Sequence, residues 1–136
     1  MNGSESREEN HRKALIPYWM EKARESMESA KADTQAGRFS TAVRSIYYAC
    51  FYALSAVLWK QGKSFKKHTG VRAAMHRDLV KPGMIESAWG EFYELIFDRR
   101  HKGDYEPMVS FDSDQVKDLF EGAEGFIAQM KNLLER

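Results

Sequence analysis

The chain has 136 residues, 43% of them hydrophobic and 30% charged, with three prolines, nine glycines and one cysteine, Cys50. This length suits a single domain able to bury a core, and a lone cysteine excludes an internal disulfide framework. A net charge of +1 excludes a global electrostatic pull toward nucleic acid or membrane.

Residues 1–14 are polar, with SESREEN too hydrophilic to repay ordering. They are expected to form a flexible arm before a domain spanning 15–136. They lack the apolar stretch of a signal peptide, and no run of about 18 apolar residues follows. The expectation is a soluble cytoplasmic protein without membrane association.

The first helix is expected from about Pro17, a residue suited to a first turn, to Ala36. Trp19, Met20, Ala23, Met27 and Ala30 recur at spacings of three and four, and Gly37 is a natural stop. The second should run from Phe39 to Gln61. Its centre, SIYYACFYALSAVLW, is apolar nearly all round, as in a helix covered on several sides. Gly62 ends it. A connection to Gly83 follows, holding one short helix at about Thr69–Leu79 and closed by Pro82 and Gly83.

The third long helix is expected over Met84–Lys102, with Ile85, Ala88, Trp89, Phe92, Leu95 and Ile96 inward and Gly103 as its end. The fourth has the clearest start. Asp112 can cap it with Gln115 as capping-box partner, and Phe111 and Val116 are placed as a hydrophobic staple. Its stripe of Val116, Leu119, Phe120, Ala123, Phe126, Ile127, Met130, Leu133 and Leu134 suits a core-facing helix. The pattern is all-α: an antiparallel four-helix bundle with one short extra helix between helices two and three.

No Walker or Rossmann glycine loop occurs, and no HExxH or paired-cysteine motif signals a metal. Neither a metal nor another cofactor is expected. His11, His68, His76 and His101 lack ligand spacing. Cys50 reads as a small core residue. The cluster of Tyr47, Tyr48, Phe51 and Tyr52 reads as core whose buried hydroxyls need partners, or as the lining of a ligand pocket.

Charge is uneven. Lys60, Lys63, Lys66, Lys67, Arg72, Arg77 and Lys81 face only Asp78, giving residues 60–81 a charge of +6 and the remainder about −5. Lys66, Lys67, His68 and Arg72 are candidate nucleic-acid-binding residues, because cations neutralise phosphates and release counterions. A solvated loop that opposes aggregation is the plainer reading.

Three segments carry a family resemblance. The span from Tyr18 to Leu58, with its Tyr-Tyr-Ala run, resembles the paired opening helices of small stand-alone HEPN proteins. KKHTG is similar to the Lys-His-Lys-Gly link after the second helix. RRHKGDYEP is similar to an ending in which Arg precedes Asp-Tyr by four residues. The resemblance covers about Tyr18 to Leu134. It implies a four-helix bundle, commonly homodimeric, in prokaryotic cytoplasm. Trp59, Trp89 and Phe97, more aromatic surface than one small core needs, hint at the same dimer. Relatives are often linked to RNA, to toxin–antitoxin pairs and to a nucleotidyltransferase partner, and some are metal-independent ribonucleases.

The ribonuclease members carry Arg, four residues and then His near the end of the third helix. Carried over, the arginine is Arg100, but Tyr105 stands five positions on, where the pattern places histidine. An unperturbed tyrosine is a poor base at pH 7, whereas histidine titrates near neutrality. His101 is turned about 100° from Arg100 on a helix and serves only if the helix has ended. The tyrosine modified by the partner in toxin relatives is matched by Pro107. An arginine often found two residues before the first Tyr is matched by Ser45, with Arg44 one residue earlier.

The resemblance makes Arg100, Asp104 and Tyr105 candidate catalytic or phosphate-binding residues. The structural alternative is an Arg100–Asp104 pair with Tyr105 packed at the helix end. The expected function is a non-catalytic HEPN module, of toxin–antitoxin type, associated with RNA, a nucleotide or a nucleotidyltransferase-type partner. The alternatives are a metal-independent endoribonuclease using Arg100 with Tyr105, Asp104 or His101, and a structural or ligand-binding bundle.

Overall fold

The computed structural model describes residues 3–136, with side-chain environments from Arg7 onward. Five α-helices account for most of these residues: α1 (Gly3–Gln35), α2 (Phe39–Lys60), α3 (His68–Met75), α4 (Ser87–Tyr105) and α5 (Ser113–Leu134). A π-helical turn, His76–Val80, continues α3. No strand occurs among the described residues.

α2 is the centre because its sequence leaves almost no polar face. Ala42, Val43, Ile46, Tyr47, Ala49, Cys50 and every residue from Ala53 to Leu58 are buried. α1, α3, α4 and α5 all pack against it. By length and composition alone α2 is apolar enough to cross a membrane, yet 67% of its apolar window is buried by the rest of the fold. Burial also pushes the Cys50 thiol up, far from a reactive thiolate.

Two devices fix the order of the long helices. Gly37, at φ 78°, takes a left-handed conformation that other residues adopt only with strain, and turns the chain back so that α2 lies along α1. At the far end, Lys60 Nζ donates to the carbonyls of Leu133 at 2.9 Å, Leu134 at 3.1 Å and Arg136 at 2.8 Å. A cation suits the negative end of the α5 dipole. This tie puts the C-terminal ends of α2 and α5 together, as an up-and-down bundle requires. α5 starts on the expected capping box: Gln115 N donates to Asp112 Oδ1 at 2.8 Å, and Asp112 N donates to Gln115 Oε1 at 2.9 Å.

The expected elements are present, with four corrections. α1 begins at Gly3, so residues 3–14 of the expected arm are helical, and residues 1 and 2 lie outside the described residues. Pro17 is therefore interior to α1, where it deprives the Lys13 carbonyl of a donor. Half-buried Leu15 and Ile16, and the Arg12 guanidinium 5.9 Å from the Trp59 ring centroid, hold this early segment to the end of α2.

The short helix is the second correction. It starts at His68, and its last turn is π-helical, with Lys81 N donating to His76 O at 2.9 Å. The third concerns the start of α4. Met84 N and Ile85 N both donate to Leu79 O, at 2.8 and 3.2 Å, so they close the π-turn and α4 waits until Ser87.

The fourth is at the other end of α4. Gly103 does not stop the helix, which runs to Tyr105. A Cβ at Gly103 would stand 3.0 Å from the Phe111 ring, so the glycine serves close packing rather than a turn. Ala88 and Leu95 face outward on this helix, with Leu95 39% exposed.

α4 meets α5 through a similar device. Methyl groups at Gly122 and Gly125 would overlap the rings of Phe92 and Trp89. We therefore expect Gly125→Ala to destabilise the fold by about 1–2 kcal/mol through overpacking. Urea denaturation followed by circular dichroism checks this, and an unchanged midpoint would show that the Trp89 ring moves aside freely.

Candidate functional site

The cluster begins at two adjacent tyrosines on α2. Residues 47 and 48 are one helical step apart and so point about 100° from each other. Tyr47 faces the core and is fully buried, whereas Tyr48 is half-buried. Tyr47 makes a 2.7 Å hydrogen bond between its hydroxyl and Nδ1 of His68, the first residue of α3. The His68 ring also stacks on Phe51, with centroids 4.2 Å apart and planes 11° from parallel.

To the same tyrosines α4 brings Arg100. Its guanidinium carbon lies 5.4 Å from the Tyr47 ring centroid and 5.5 Å from that of Tyr48, close enough for cation–π attraction. Arg100 Nη2 donates to the Tyr48 hydroxyl at 3.3 Å. One turn along α4, Asp104 Oδ2 lies 3.0 Å from Arg100 Nε, an ion pair between side chains 16% and 23% exposed. That N–H is not aligned for a hydrogen bond, so the carboxylate does not grip the guanidinium in a two-point fork.

Asp104 is shared. Arg44 Nε of α2 lies 4.0 Å from the same Oδ2. Two arginines around one carboxylate leave a local charge of +1. Arg44 also lines a polar cleft of about 220 Å³ between α1 and α2, with Ser26, Ser29, Ser45, Tyr48 and Tyr52. Tyr105 is 67% exposed at the end of α4, its ring 4.9 Å from that of His101 and its centroid 6.0 Å from the Arg100 guanidinium.

The electrostatics follow from burial. Burial, and then the positive charge of Arg100, hold the His68 imidazole below the ordinary histidine range. Burial pushes the Tyr47 hydroxyl up to about 12, against the opposing pull of Tyr93 and Arg100. Tyr93 is also raised well above the ordinary tyrosine value, chiefly through its own burial. At neutral pH the cluster therefore holds neutral phenols, a neutral imidazole and a permanent guanidinium cation.

The basic connection divides into committed and open charges. Lys63 Nζ pairs with Asp78 at 3.0 Å, and Arg77 reaches the same carboxylate at 2.9 Å. Hydrogen bonding from Arg77, with help from Lys63, holds Asp78 down at about 2. Arg72 lies 3.5 Å from Glu94 and stacks its guanidinium 4.4 Å from the Phe97 centroid. Glu94 also meets His76 Nε2 at 2.7 Å. Lys66 and Lys67 are exposed immediately before His68.

The structure thus brings together two groups of residues that the sequence left apart. Arg100 and Asp104 meet as a pair, and His68 joins Arg100 through the Tyr47 and Tyr48 rings. Tyr105 lies at the rim. Lys66 and Lys67 border the cluster, and Arg72 stands one ring further, since Phe97 also packs on Tyr47 with centroids 5.8 Å apart. His101 has not left the helix and turns toward Tyr105. Sequence reasoning missed that Tyr47 and Tyr48 supply the platform and that Arg44 reaches Asp104. The hydrogen-bonding need of buried tyrosines was the signal for the first.

A helical bundle with this arginine-centred cluster defines the class. The HEPN domain family model matches residues 16–133, and the chain belongs to that family. Among its relatives is a UPF0332 protein of Thermotoga maritima, 42% identical over 126 residues that cover 93% of this chain and 96% of that one. The candidate toxin MJ0142 of Methanocaldococcus jannaschii is 24% identical over 85% of this chain and 78% of its own. The crystal structure of TT1696 from Thermus thermophilus shares the fold. Its TM-score is 0.74 at 15% identity, covering 88% of this chain and 98% of that chain.

The depressed His68 pKa has a consequence for stability. The unfolded chain binds a proton at this imidazole at a higher pH than the folded chain does. The His68 contribution is therefore intact above the unfolded value of about 6.5 and is lost as pH falls through the lower folded value. Urea midpoints measured from pH 7.5 down to 5 should fall less steeply in His68→Gln than in wild type. Equal slopes would show that protonation of His68 carries no folding cost.

Proposed function

We propose that the chain is an RNA-associating HEPN module of the toxin–antitoxin type, with Arg100 as its phosphate-docking group. One observation carries the reading. Arg100 is held by Asp104, Tyr48 and two aromatic faces with its side chain still 16% exposed, and the exposed Lys66 and Lys67 immediately precede His68, which packs on the same two rings. A planar guanidinium with its rotamer already fixed binds a phosphate with little further ordering cost. Lys66, Lys67 and Arg44 add the sequence-independent attraction that a polyanion brings. The name of the Methanocaldococcus relative, a candidate toxin, supports the toxin–antitoxin setting.

The homodimer and the nucleotidyltransferase-type partner implied by family resemblance belong to this proposal. Sedimentation of the purified chain tests the first. Co-purification with a nucleotidyltransferase encoded beside it tests the second.

Fluorescence anisotropy with a labelled single-stranded RNA, titrated at several salt concentrations, tests RNA association. Wild-type affinity should fall as salt rises. Arg100→Ala should weaken binding by roughly 10-fold or more, the scale of a lost charged hydrogen bond. A Lys66→Ala, Lys67→Ala double variant should flatten the logarithmic salt slope by about 1.4, as removal of two phosphate contacts to a single strand predicts. Affinity indifferent to salt and to Arg100 would overturn the reading.

A further inference from the structure

We propose that the polar cleft between α1 and α2 is a subsite for a terminal phosphate monoester, the end of an RNA strand whose neighbouring phosphate docks on Arg100. This inference rests on the reading of Arg100 as a phosphate-docking group. It goes beyond that reading by assigning a site on a different pair of helices and by naming the feature of the strand that the site selects.

Serine and threonine inside a helix commonly bond back to their own backbone. In this chain Ser55 Oγ donates to the Phe51 carbonyl at 2.8 Å, and Thr34 Oγ1 donates to that of Ala30 at 2.7 Å. Ser26, Ser29 and Ser45 do not follow them. Their hydroxyls make no hydrogen bond among the described residues, and all three line the cleft. Ser26 and Ser29 are three apart on α1 and so share a face, while Ser45 comes from α2. Ser26 and Ser45 are half-buried. These short side chains leave room between the longer walls of Arg44, Tyr48 and Tyr52. The aromatic walls are braced: Tyr52 stacks on Trp19 with centroids 5.7 Å and planes 20° apart, and packs on Tyr48 at 5.8 Å. The Tyr48 oxygen accepts from Arg100 Nη2, so its own proton remains to be donated.

Arg44 gives the cleft its charge. Its side chain is 57% exposed, and the 4.0 Å from its Nε to Asp104 Oδ2 is too long for a hydrogen bond, so an anion meets only a weak competitor. Arg100 reaches the same Asp104 oxygen at 3.0 Å. The two arginines therefore stand close enough for neighbouring phosphates of one strand to meet both.

The donor set decides the ligand. A phosphate monoester presents three terminal oxygens and nearly two negative charges at neutral pH, whereas an internal phosphodiester presents two such oxygens and a single charge. A guanidinium with several hydroxyl donors matches the first. At about 220 Å³ the cleft is smaller than the roughly 300–1,000 Å³ of pockets that enclose a whole small molecule. It therefore suits one phosphate group rather than a free nucleotide.

Fluorescence anisotropy with three internally labelled single-stranded RNAs of one sequence tests this. One carries a 5′-phosphate, one a 3′-phosphate and one hydroxyls at both ends. A phosphorylated end should bind roughly 10-fold or more tightly than the hydroxyl-ended strand, the scale of one hydrogen bond to a charged group, and the RNA that does so identifies the end. A Ser26→Ala, Ser29→Ala, Ser45→Ala triple variant keeps the net charge and the helices, because alanine is the better helix former, and circular dichroism checks its fold. It should bring that ratio below about threefold and leave affinity for the hydroxyl-ended strand unchanged. Arg100→Ala should weaken binding of all three RNAs. Equal binding of the three RNAs by wild type, or a preference that survives the triple variant, would overturn the inference yet leave the docking reading intact. Absence of RNA binding would remove both.

Discussion

The structure depends on one constraint: α2 has no side that water can be left to cover. A 22-residue helix buried at Ala42, Val43, Ile46, Ala49, Cys50 and throughout Ala53–Leu58 must be enclosed by whatever else the chain provides. Burying such side chains contributes roughly 1.5–3 kcal/mol for each large one, more than any surface ion pair in the molecule. α1 and α5 give long amphipathic faces to this task, α4 a shorter one, and α3 closes the remaining gap. The positions of the other helices therefore follow from α2.

The cluster is a by-product of that enclosure. Tyr47 is a core residue by burial and a site residue by its hydroxyl. Its ring supports Arg100 from α4, its oxygen holds His68 from α3, and its edge meets Phe97. Phe51 performs the same double service for His68. A bundle built to cover α2 thereby places a cation and an imidazole on shared aromatic ground. Asp104 then sets the rotamer of Arg100.

Much of this was legible wherever local chemistry decides the outcome. The Asp112 capping box formed as read, because both hydrogen bonds lie within four residues and no tertiary contact competes. Gly37 and Gly62 mark turns, each with positive φ. Gly103 looks the same in sequence but answers to the Phe111 ring, a contact eight residues away that no local rule exposes. Leu95 was read as core from its spacing, whereas α4 rotates to give Trp89 and Phe92 to the glycines of α5.

For the site, the Arg100–Asp104 pair was legible as two residues one helical turn apart, but its meeting with His68 was not. The pairing of Tyr47 with His68 spans 21 positions and that of Tyr48 with Arg100 spans 52, and such distances are closed only by the fold. The two supports of the cluster differ in firmness. Arg100 rides on a 19-residue helix packed against both α2 and α5, whereas His68 opens an eight-residue helix that follows an exposed connection. Short elements with few neighbours open at lower free energy than the core. Fraying of the first turn of α3 would separate imidazole from guanidinium while the bundle stayed folded. As temperature rises, the chain would lose its site before it lost its shape.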